Sequence, residues 1–139
     1  MKIYITASWK HQHAVEMLTE RLRQVGHEVL SFVEHAVNFE GRTNIEFDLD
    51  TWIASEDGER KFHFDVDGAM KSDLVIYIGP SGTDSWAEIG AAYASDRVIL
   101  GLYAKGEPSG LMRRMVEWYR GVDDLLYALN KLQESADEK

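Results

Sequence analysis

The amino-acid sequence predicts an α/β protein, a three-layer sandwich in which helices cover both faces of a parallel β-sheet. Two observations predict this class. Short apolar runs alternate with amphipathic segments along most of the chain, and that alternation builds βαβ units. The run DLVIYIG at 73–79 is almost continuously apolar, as in strands buried on both faces. The chain has 139 residues, so we expect one domain over 1–139.

The chain opens with a βαβ unit. Residues 2–8, KIYITAS, are rich in β-branched and aromatic side chains and are predicted as the first strand. Apolar residues then recur at helical spacing up to Gly26, which is a natural residue to follow a helix. Residues 27–33, HEVLSFV, are predicted as the second strand.

Residues 34–64 have a mixed pattern, because acidic residues are interspersed with large apolar ones. We expect one helix around 43–56 and another that begins near Glu59 and runs to about Lys71. This second helix leads into the strand at 73–79.

The second half of the chain repeats the alternation. A helix at 86–94 and a strand at 97–103 are predicted after the strand at 73–79. The loop KGEPSG then leads to a short helix, LMRRMVEWY, and RGV is predicted as a stub of a fifth strand. Asp123 is expected to cap the last helix, LLYALNKLQ. We expect a disordered tail over 133–139.

The composition limits the classes of partner. The formal net charge is −9 at pH 7, which argues against a nucleic-acid duplex or an anionic membrane as a partner. Cysteine is absent, so we expect neither disulfides nor thiolate chemistry. The first residues lack the apolar region of a signal peptide, and no apolar run approaches the ~20 residues that span a bilayer. We therefore expect a soluble, cytoplasmic protein.

The topology indicates where a ligand would bind. In open parallel sheets, ligands bind outside the carboxyl ends of the strands. The loops expected there are 6–10, 79–86 and 103–110. The loop GPSGTDSW at 79–86 is rich in small and hydroxyl residues and opens a helix, so its backbone N–H groups suit an anion. It lacks the spacing of a P-loop or of a dinucleotide fold.

Glu88 has two interpretations from the pattern. Ser85 and Glu88 fit a capping box, in which Ser85 is the N-cap and Glu88 is the third helical residue. Alternatively, Glu88 does chemistry, which would need a second carboxylate. Asp65 is the candidate, because it borders the predicted core-facing side of its helix, which consists of Phe62, Val66 and Ala69, and could point toward the carboxyl edge. Pattern alone also allows Asp65 to be a surface acid.

Other catalytic sites find less support. His11 and His13 lie two residues apart and do not face each other on a helix, and no cysteine–histidine set is present. We therefore expect no metal site. A G-x-S-x-G elbow is also absent, so serine-hydrolase chemistry is not expected. Trp9 lies just past the first strand, at the predicted ligand edge.

Four segments carry a family resemblance, namely KIYITASW, FDVDGAMKSDLVIYI, GTDSWAEIGAAYA and VILGLYAKGEPSGLMRRM. In this order they resemble the nucleoside 2-deoxyribosyltransferase family, and within it the deoxyribonucleoside 5′-monophosphate N-glycosidase branch. The resemblance implies a flavodoxin-like sheet of five parallel strands in the order 2-1-3-4-5. It also implies cleavage of the N-glycosidic bond of a nucleoside or nucleotide, no cofactor, and a homodimer or higher homo-oligomer.

The resemblance also implies roles for individual residues. Glu88 matches the carboxylate nucleophile that attacks the anomeric carbon, and Asp65 matches the aspartate that positions the sugar and assists proton transfer. Residues matching the loop that contacts base and sugar are Tyr4, Ala7, Ser8 and Trp9. Residues matching the loop that holds the 5′ end are Ser81, Gly82, Thr83 and Ser85. Met115 matches a segment that can reach the site of a neighbouring subunit.

The chemistry agrees with this resemblance, since a carboxylate can stabilise or trap the oxocarbenium-like state of glycosidic cleavage. Two alternatives stay open at this point. The chain could be a non-catalytic nucleotide-binding or signalling module on the same fold, because folds host many functions. It could also cleave the nicotinamide bond of NAD, as TIR-like domains do with a glutamate.

Overall fold

The computed structural model describes residues 1–35 and 49–138 and contains one five-stranded sheet. The strands run in the order β2-β1-β3-β4-β5 and every neighbouring pair is parallel, which confirms the predicted fold class and order. The strands are β1 Lys2–Ala7, β2 Glu28–Ser31, β3 Leu74–Ile78, β4 Val98–Leu102 and β5 Glu117–Tyr119. The helices are α1 Gln12–Gln24, α2 Leu49–Ala54, α3 Glu56–Lys71, α4 Thr83–Ala94 and α5 Val122–Asp137.

The core has two halves, one on each face of the sheet. Successive side chains of a strand point to opposite faces, so Ile3 and Ile5 of β1 pack with α1 and α5, whereas Tyr4 packs with α3 and α4. All five residues of β3 are buried, which explains why its sequence is continuously apolar. This arrangement confirms the three-layer sandwich.

The helix α3 begins earlier than its apolar pattern predicts. Ser55 is its N-cap, and the Ser55 hydroxyl accepts a hydrogen bond of 2.9 Å from the Gly58 amide. The residues of α2 fall within the helix predicted around 43–56, and the part of that prediction before Leu49 lies outside the described residues.

The fifth strand is not where the sequence predicts it. The segment LMRRMVEWY forms a 3-10 turn at Leu111–Met115 followed by β5, so the predicted helix there and the strand stub at RGV are both wrong. The reason is tertiary. A side chain on Gly101 of β4 would come within 2.5 Å of Val116 Cγ1, so the bare glycine lets this segment pack against β4.

Two predictions about α5 are also wrong. Its N-cap is Gly121, and Asp123 instead forms a 3.1 Å ion pair with Arg21 of α1. The tail predicted as disordered is helical up to Asp137, where Gln133 donates a 2.9 Å hydrogen bond to the Asp137 carboxylate. Such i, i+4 pairs support the last turns of a polar helix. Among the described residues, no helix combines the length and the apolar character needed to cross a membrane.

Candidate active site

A cavity of about 500 Å³ opens at the carboxyl ends of β1 and β3, the edge where the topology predicts a ligand. It lies between the loop after β1, the helix α3 and the start of α4. Most of the predicted site residues line it: Tyr4, Ala7, Ser8, Trp9, Asp65, Gly82, Thr83, Ser85 and Glu88. The fold therefore brings together residues that are far apart in sequence.

The centre of this cavity is a cluster of Tyr4, Asp65 and Glu88. The Tyr4 hydroxyl donates a short hydrogen bond to Glu88 Oε1, and it lies 3.2 Å from Asp65 Oδ1. A phenol carries one proton and can donate it to only one of two oxygens. Both contacts are therefore satisfied together only when one of the two carboxyl groups also carries a proton.

Burial and mutual repulsion govern the charge of this cluster. Burial, and then the charge of Asp65, raise the pKa of Glu88 from 4.5 to about 7, while the hydrogen bond from Tyr4 and the charge of Lys61 act in the opposite direction. Burial also raises the pKa of Asp65, against the nearby Lys61 ammonium. Burial and both carboxylates hold the pKa of Tyr4 well above its ordinary value, so the phenol keeps its proton.

A glycine sets the distance between α3 and β1. A side chain on Gly68 would come within 2.5 Å of Tyr4 Cδ1, so the bare backbone of α3 packs on the tyrosine ring. Asp65 lies about one turn earlier on α3, which brings its carboxylate level with the Tyr4 hydroxyl. The inward face of α3 therefore includes Gly68 and Ala69, whereas Phe62, which the pattern places in the core, is 60% exposed.

Glu88 is not part of a capping box. The helix α4 extends back to Thr83 with Gly82 as its N-cap, so Ser85 is inside the first turn and caps nothing. Glu88 consequently lies in the second turn, where its carboxylate meets Tyr4 instead of a backbone amide. The capping interpretation of Glu88 is wrong, and its side chain faces the cavity.

Ser81 is buried behind the cavity wall. Its hydroxyl donates to the Ile78 carbonyl at 2.7 Å and accepts from the Ser8 amide at 2.8 Å. His11 Nε2 lies 2.6 Å from the Pro80 carbonyl oxygen and forms a second link between the same two loops. The structure therefore uses Ser81 to join the loop after β1 to the loop after β3.

Met115 does not line this cavity. It packs at the edge of the core half formed by α3 and α4 with β3 and β4. Its contact with the site of a neighbouring subunit stays a prediction.

Several cavity residues are not named as site residues in the sequence-based prediction, although some of them lie in the expected loops 6–10 and 79–86. They are Thr6, Lys10, Phe32, Lys61 and Asp84. Trp9 and Phe32 pack edge to face with ring centroids 5.1 Å apart. Lys61 is the most informative, because its ammonium lies 3.0 Å from Asp65 Oδ1. The i, i+4 spacing of Lys61 and Asp65 on a helix is the signal that could have identified this pair.

A second cavity, of about 870 Å³, adjoins the first. It shares Lys61, Asp65, Thr83, Asp84 and Glu88 with the first cavity. Its remaining wall includes apolar side chains of α2 and α3, among them Trp52, Ile53 and Phe62. The acidic cluster thus lies where the two cavities meet, one on the side of the loop after β1 and the other beside α2. Within 1–35 and 49–138, histidine, cysteine, aspartate and glutamate side chains form no group of three or more that could hold a metal ion.

Comparisons with known proteins give structural matches only. No protein-family model matches the sequence, and no curated protein matches it. The structure is similar to a 2-deoxyribosyltransferase from the psychrotolerant bacterium Bacillus psychrosaccharolyticus, with a TM-score of 0.70 and 20% identity over 90% of each chain. It is also similar to the CMP N-glycosidase BcmB of Clostridium botulinum, with a TM-score of 0.60 and 19% identity over 94% of this chain and 99% of that one.

A conserved protein from Enterococcus faecalis V583 matches with a TM-score of 0.56 and 20% identity, over 82% of this chain and 70% of that one. The first two neighbours are of the same two kinds that the sequence segments resemble, a deoxyribosyltransferase and a nucleotide N-glycosidase. At these identities the likeness shows the fold, so this chain has the fold of a 2-deoxyribosyltransferase and of a CMP N-glycosidase.

Proposed function

We propose that this chain is an enzyme that cleaves the N-glycosidic bond of a nucleoside or a nucleoside 5′-monophosphate, as an N-glycosidase or a deoxyribosyltransferase. The cluster of Tyr4, Asp65 and Glu88 at the carboxyl edge of the sheet carries the proposal. Two carboxyl groups with different environments are what glycosidic cleavage requires. The shared fold with two enzymes named for this chemistry supports the same conclusion.

In the proposed reaction, ionised Glu88 attacks the anomeric carbon of the sugar. The bond from that carbon to the base nitrogen breaks, and a bond to the Glu88 carboxylate oxygen forms. The departing base takes up a proton that comes from water with the assistance of Asp65, and the water or base that later resolves the intermediate releases a proton in turn. Water then attacks the anomeric carbon and frees Glu88, or a second base does so and a new nucleoside leaves.

Tyr4 would orient Glu88 for this attack. Its hydrogen bond favours the ionised carboxylate and fixes one of the two carboxylate oxygens, so the other oxygen is available to the sugar. Because the phenol itself keeps its proton, it can hold this position throughout the reaction.

The charge of the cavity supports a substrate without a 5′ phosphate. Asp84 lies at the start of α4 and lines the cavity beside Glu88, and its charge raises the pKa of Glu88. A phosphate there would be attracted by the helix N-terminus and repelled by the Asp84 carboxylate. We therefore propose that an uncharged nucleoside is a better substrate than its 5′-monophosphate.

The test is release or exchange of the base from a panel of ribonucleosides, deoxyribonucleosides, their 5′-monophosphates and NAD. Wild type is compared with Glu88→Ala and with Glu20→Ala, a control that removes an exposed carboxylate from α1 in the other helix layer. We expect turnover in wild type and in the control, and none in Glu88→Ala. Binding without turnover would favour a nucleotide-binding module, and nicotinamide release from NAD alone would favour the TIR-like activity.

A further inference from the structure

Lys61 is an unusual residue, a lysine that is only 5% exposed. Its ammonium lies 3.0 Å from Asp65 Oδ1 and 3.4 Å from the carbonyl oxygen of Phe32. It is also within 5.5 Å of the ring centroid of Phe32 and 4.9 Å of that of Phe64. A buried ammonium loses its hydration, so it persists only where such partners replace the water.

The position of this ammonium relates it to the acidic cluster. The Asp65 oxygen that contacts Lys61 is the same oxygen that lies 3.2 Å from the Tyr4 hydroxyl. Lys61 therefore begins a continuous series of polar contacts that passes through Asp65 and Tyr4 and ends at Glu88. Lys61 also lines both cavities that meet at the cluster.

We propose that Lys61 is a positioning residue of this site: its buried ammonium holds the Asp65 carboxylate against Tyr4 and offsets the negative charge beside Glu88. The positioning of Asp65 by Lys61 does not depend on the proposed function, whereas the effect of Lys61 on catalysis rests on it. Without the cation, the charge of the Asp65 carboxylate would be offset less, and its repulsion would oppose the ionisation that a nucleophilic Glu88 needs.

Among the residues that the structure describes, charged and titratable groups reach Glu88 from three sides. Tyr4 comes from β1, Lys61 and Asp65 from α3, and Asp84 from the start of α4. Lys10, in the loop after β1, lines the same cavity but is exposed, so water and salt screen its charge. Lys61 and Lys10 are the only lysine or arginine residues among the described residues that line the cavity. Removal of Lys61 should therefore leave the acidic charge largely unopposed.

The experiment measures the pKa of the Glu88 carboxyl group by carbon-13 NMR titration of the ligand-free protein. It compares wild type with Lys61→Met, which keeps the length of the side chain, and Lys61→Arg, which keeps the charge. We expect the pKa of Glu88 to rise by roughly one unit in Lys61→Met and to stay near the wild-type value in Lys61→Arg. The acidic limb of the pH profile for base release should move by the same amount.

A structural role alone would lower activity equally at every pH and would leave the pKa of Glu88 unchanged, and that result would overturn the proposal. If Lys61→Met does not fold, the double variant Lys61→Met with Asp65→Asn is compared with Asp65→Asn alone. The double variant leaves no buried aspartate without its cation, and Asp65→Asn keeps the contact of Lys61 with the Phe32 carbonyl. The pKa of Glu88 must again rise when Lys61 is removed. The titration needs no turnover, so the two proposals can fail separately. If wild type is active and the pKa of Glu88 is the same in Lys61→Met, only the role of Lys61 is refuted. If the pKa shifts in Lys61→Met but wild type releases no base, only the proposed function is refuted.

Discussion

The hydroxyl of Tyr4, in the middle of β1, donates to the carboxylate of Glu88 on α4, a residue 84 positions later in the sequence. The contact joins the first strand of the sheet to the helix that follows the third. Tyr4 is 1% exposed, so its ring is held rigidly by the core and its hydroxyl alone reaches the cavity. The fold thus uses a core residue to fix the orientation of the candidate nucleophile.

Replacing Tyr4 with phenylalanine removes this hydrogen bond and leaves the ring in place. Because the bond favours ionised Glu88, the acidic limb of the pH profile should move to higher pH in Tyr4→Phe. A hydrogen bond to a charged group contributes about 1.5–3 kcal/mol, so kcat/KM should fall by about 10–100-fold. Base release between pH 5 and pH 9 checks both effects. Tyr93→Phe removes an exposed hydroxyl from α4 and should behave as wild type.

Glu88 should also make stability depend on pH. Its pKa is raised from 4.5 to about 7 in the folded protein, so between these values the folded state binds a proton that the unfolded state releases. Stability attributable to Glu88 is therefore complete below about 4.5 and is lost as the pH rises through about 7. Glu88→Gln cannot ionise and avoids the loss. At pH 8 it should be more stable than wild type by up to about 3 kcal/mol.

Urea unfolding of wild type and Glu88→Gln, at one pH near 4 and another near 8, measures this difference. Glu20→Gln removes an exposed carboxylate from α1 and keeps Glu88, so its stability should fall between these two pH values as that of wild type does. A Glu88→Gln protein that is no more stable than wild type at the higher pH would show that Glu88 ionises there without cost.

Much of the fold is predictable because burial on both faces leaves a local signal. β3 is apolar at every position since helices cover both of its faces, and its boundaries are predicted within one residue at each end. β5 has no such signal. It has three residues, none fully buried, and its pairing depends on the absence of a side chain at Gly101, which is distant in sequence.

The site divides in the same way. The loop at the carboxyl edge and the family resemblance predict Glu88 and Asp65 as candidate catalytic residues, and the structure brings both to Tyr4. The role of Ser81 could not be predicted, because a small polar loop has the same local sequence whether its serine links two loops or binds a ligand. Lys61 was not predicted either, since lysines are rarely buried and only the packing of Phe32 and Phe64 around its ammonium shows that this one is.

Gly68→Ala should disturb the site through packing alone. The added methyl group would lie 2.5 Å from Tyr4 Cδ1, and the tyrosine cannot move because the core surrounds it. We expect a loss of about 1–3 kcal/mol of stability, as for other overpacked cores, together with a fall in kcat as α3 shifts and carries Asp65 away from Tyr4. Urea unfolding and base-release kinetics measure the two effects.

Gly90→Ala is the matched control for this substitution. Gly90 is also inside a helix, but a methyl group there would meet nothing within 4 Å. Alanine is the better helix former, so Gly90→Ala should be about 0.5–1 kcal/mol more stable than wild type and fully active. If Gly68→Ala shows the same gain, the contact between α3 and Tyr4 does not determine the geometry of the site.

Asp84→Asn should change the choice between a nucleoside and its 5′-monophosphate. Asp84 lines both cavities at the start of α4, where the helix terminus would otherwise favour an anion. Removing its charge should raise kcat/KM for the monophosphate relative to the nucleoside by roughly tenfold at low salt, and the gain should shrink as salt screens the phosphate. It should also shift the acidic limb to lower pH, because the charge of Asp84 raises the pKa of Glu88.

Asp67→Asn makes the same change of charge at an exposed position of α3 that lines neither of these cavities, and it should leave the ratio unchanged. An equal ratio in Asp84→Asn and wild type would mean that the 5′ end of the substrate lies away from this helix terminus, and that the polar loop before α4 serves another part of the ligand.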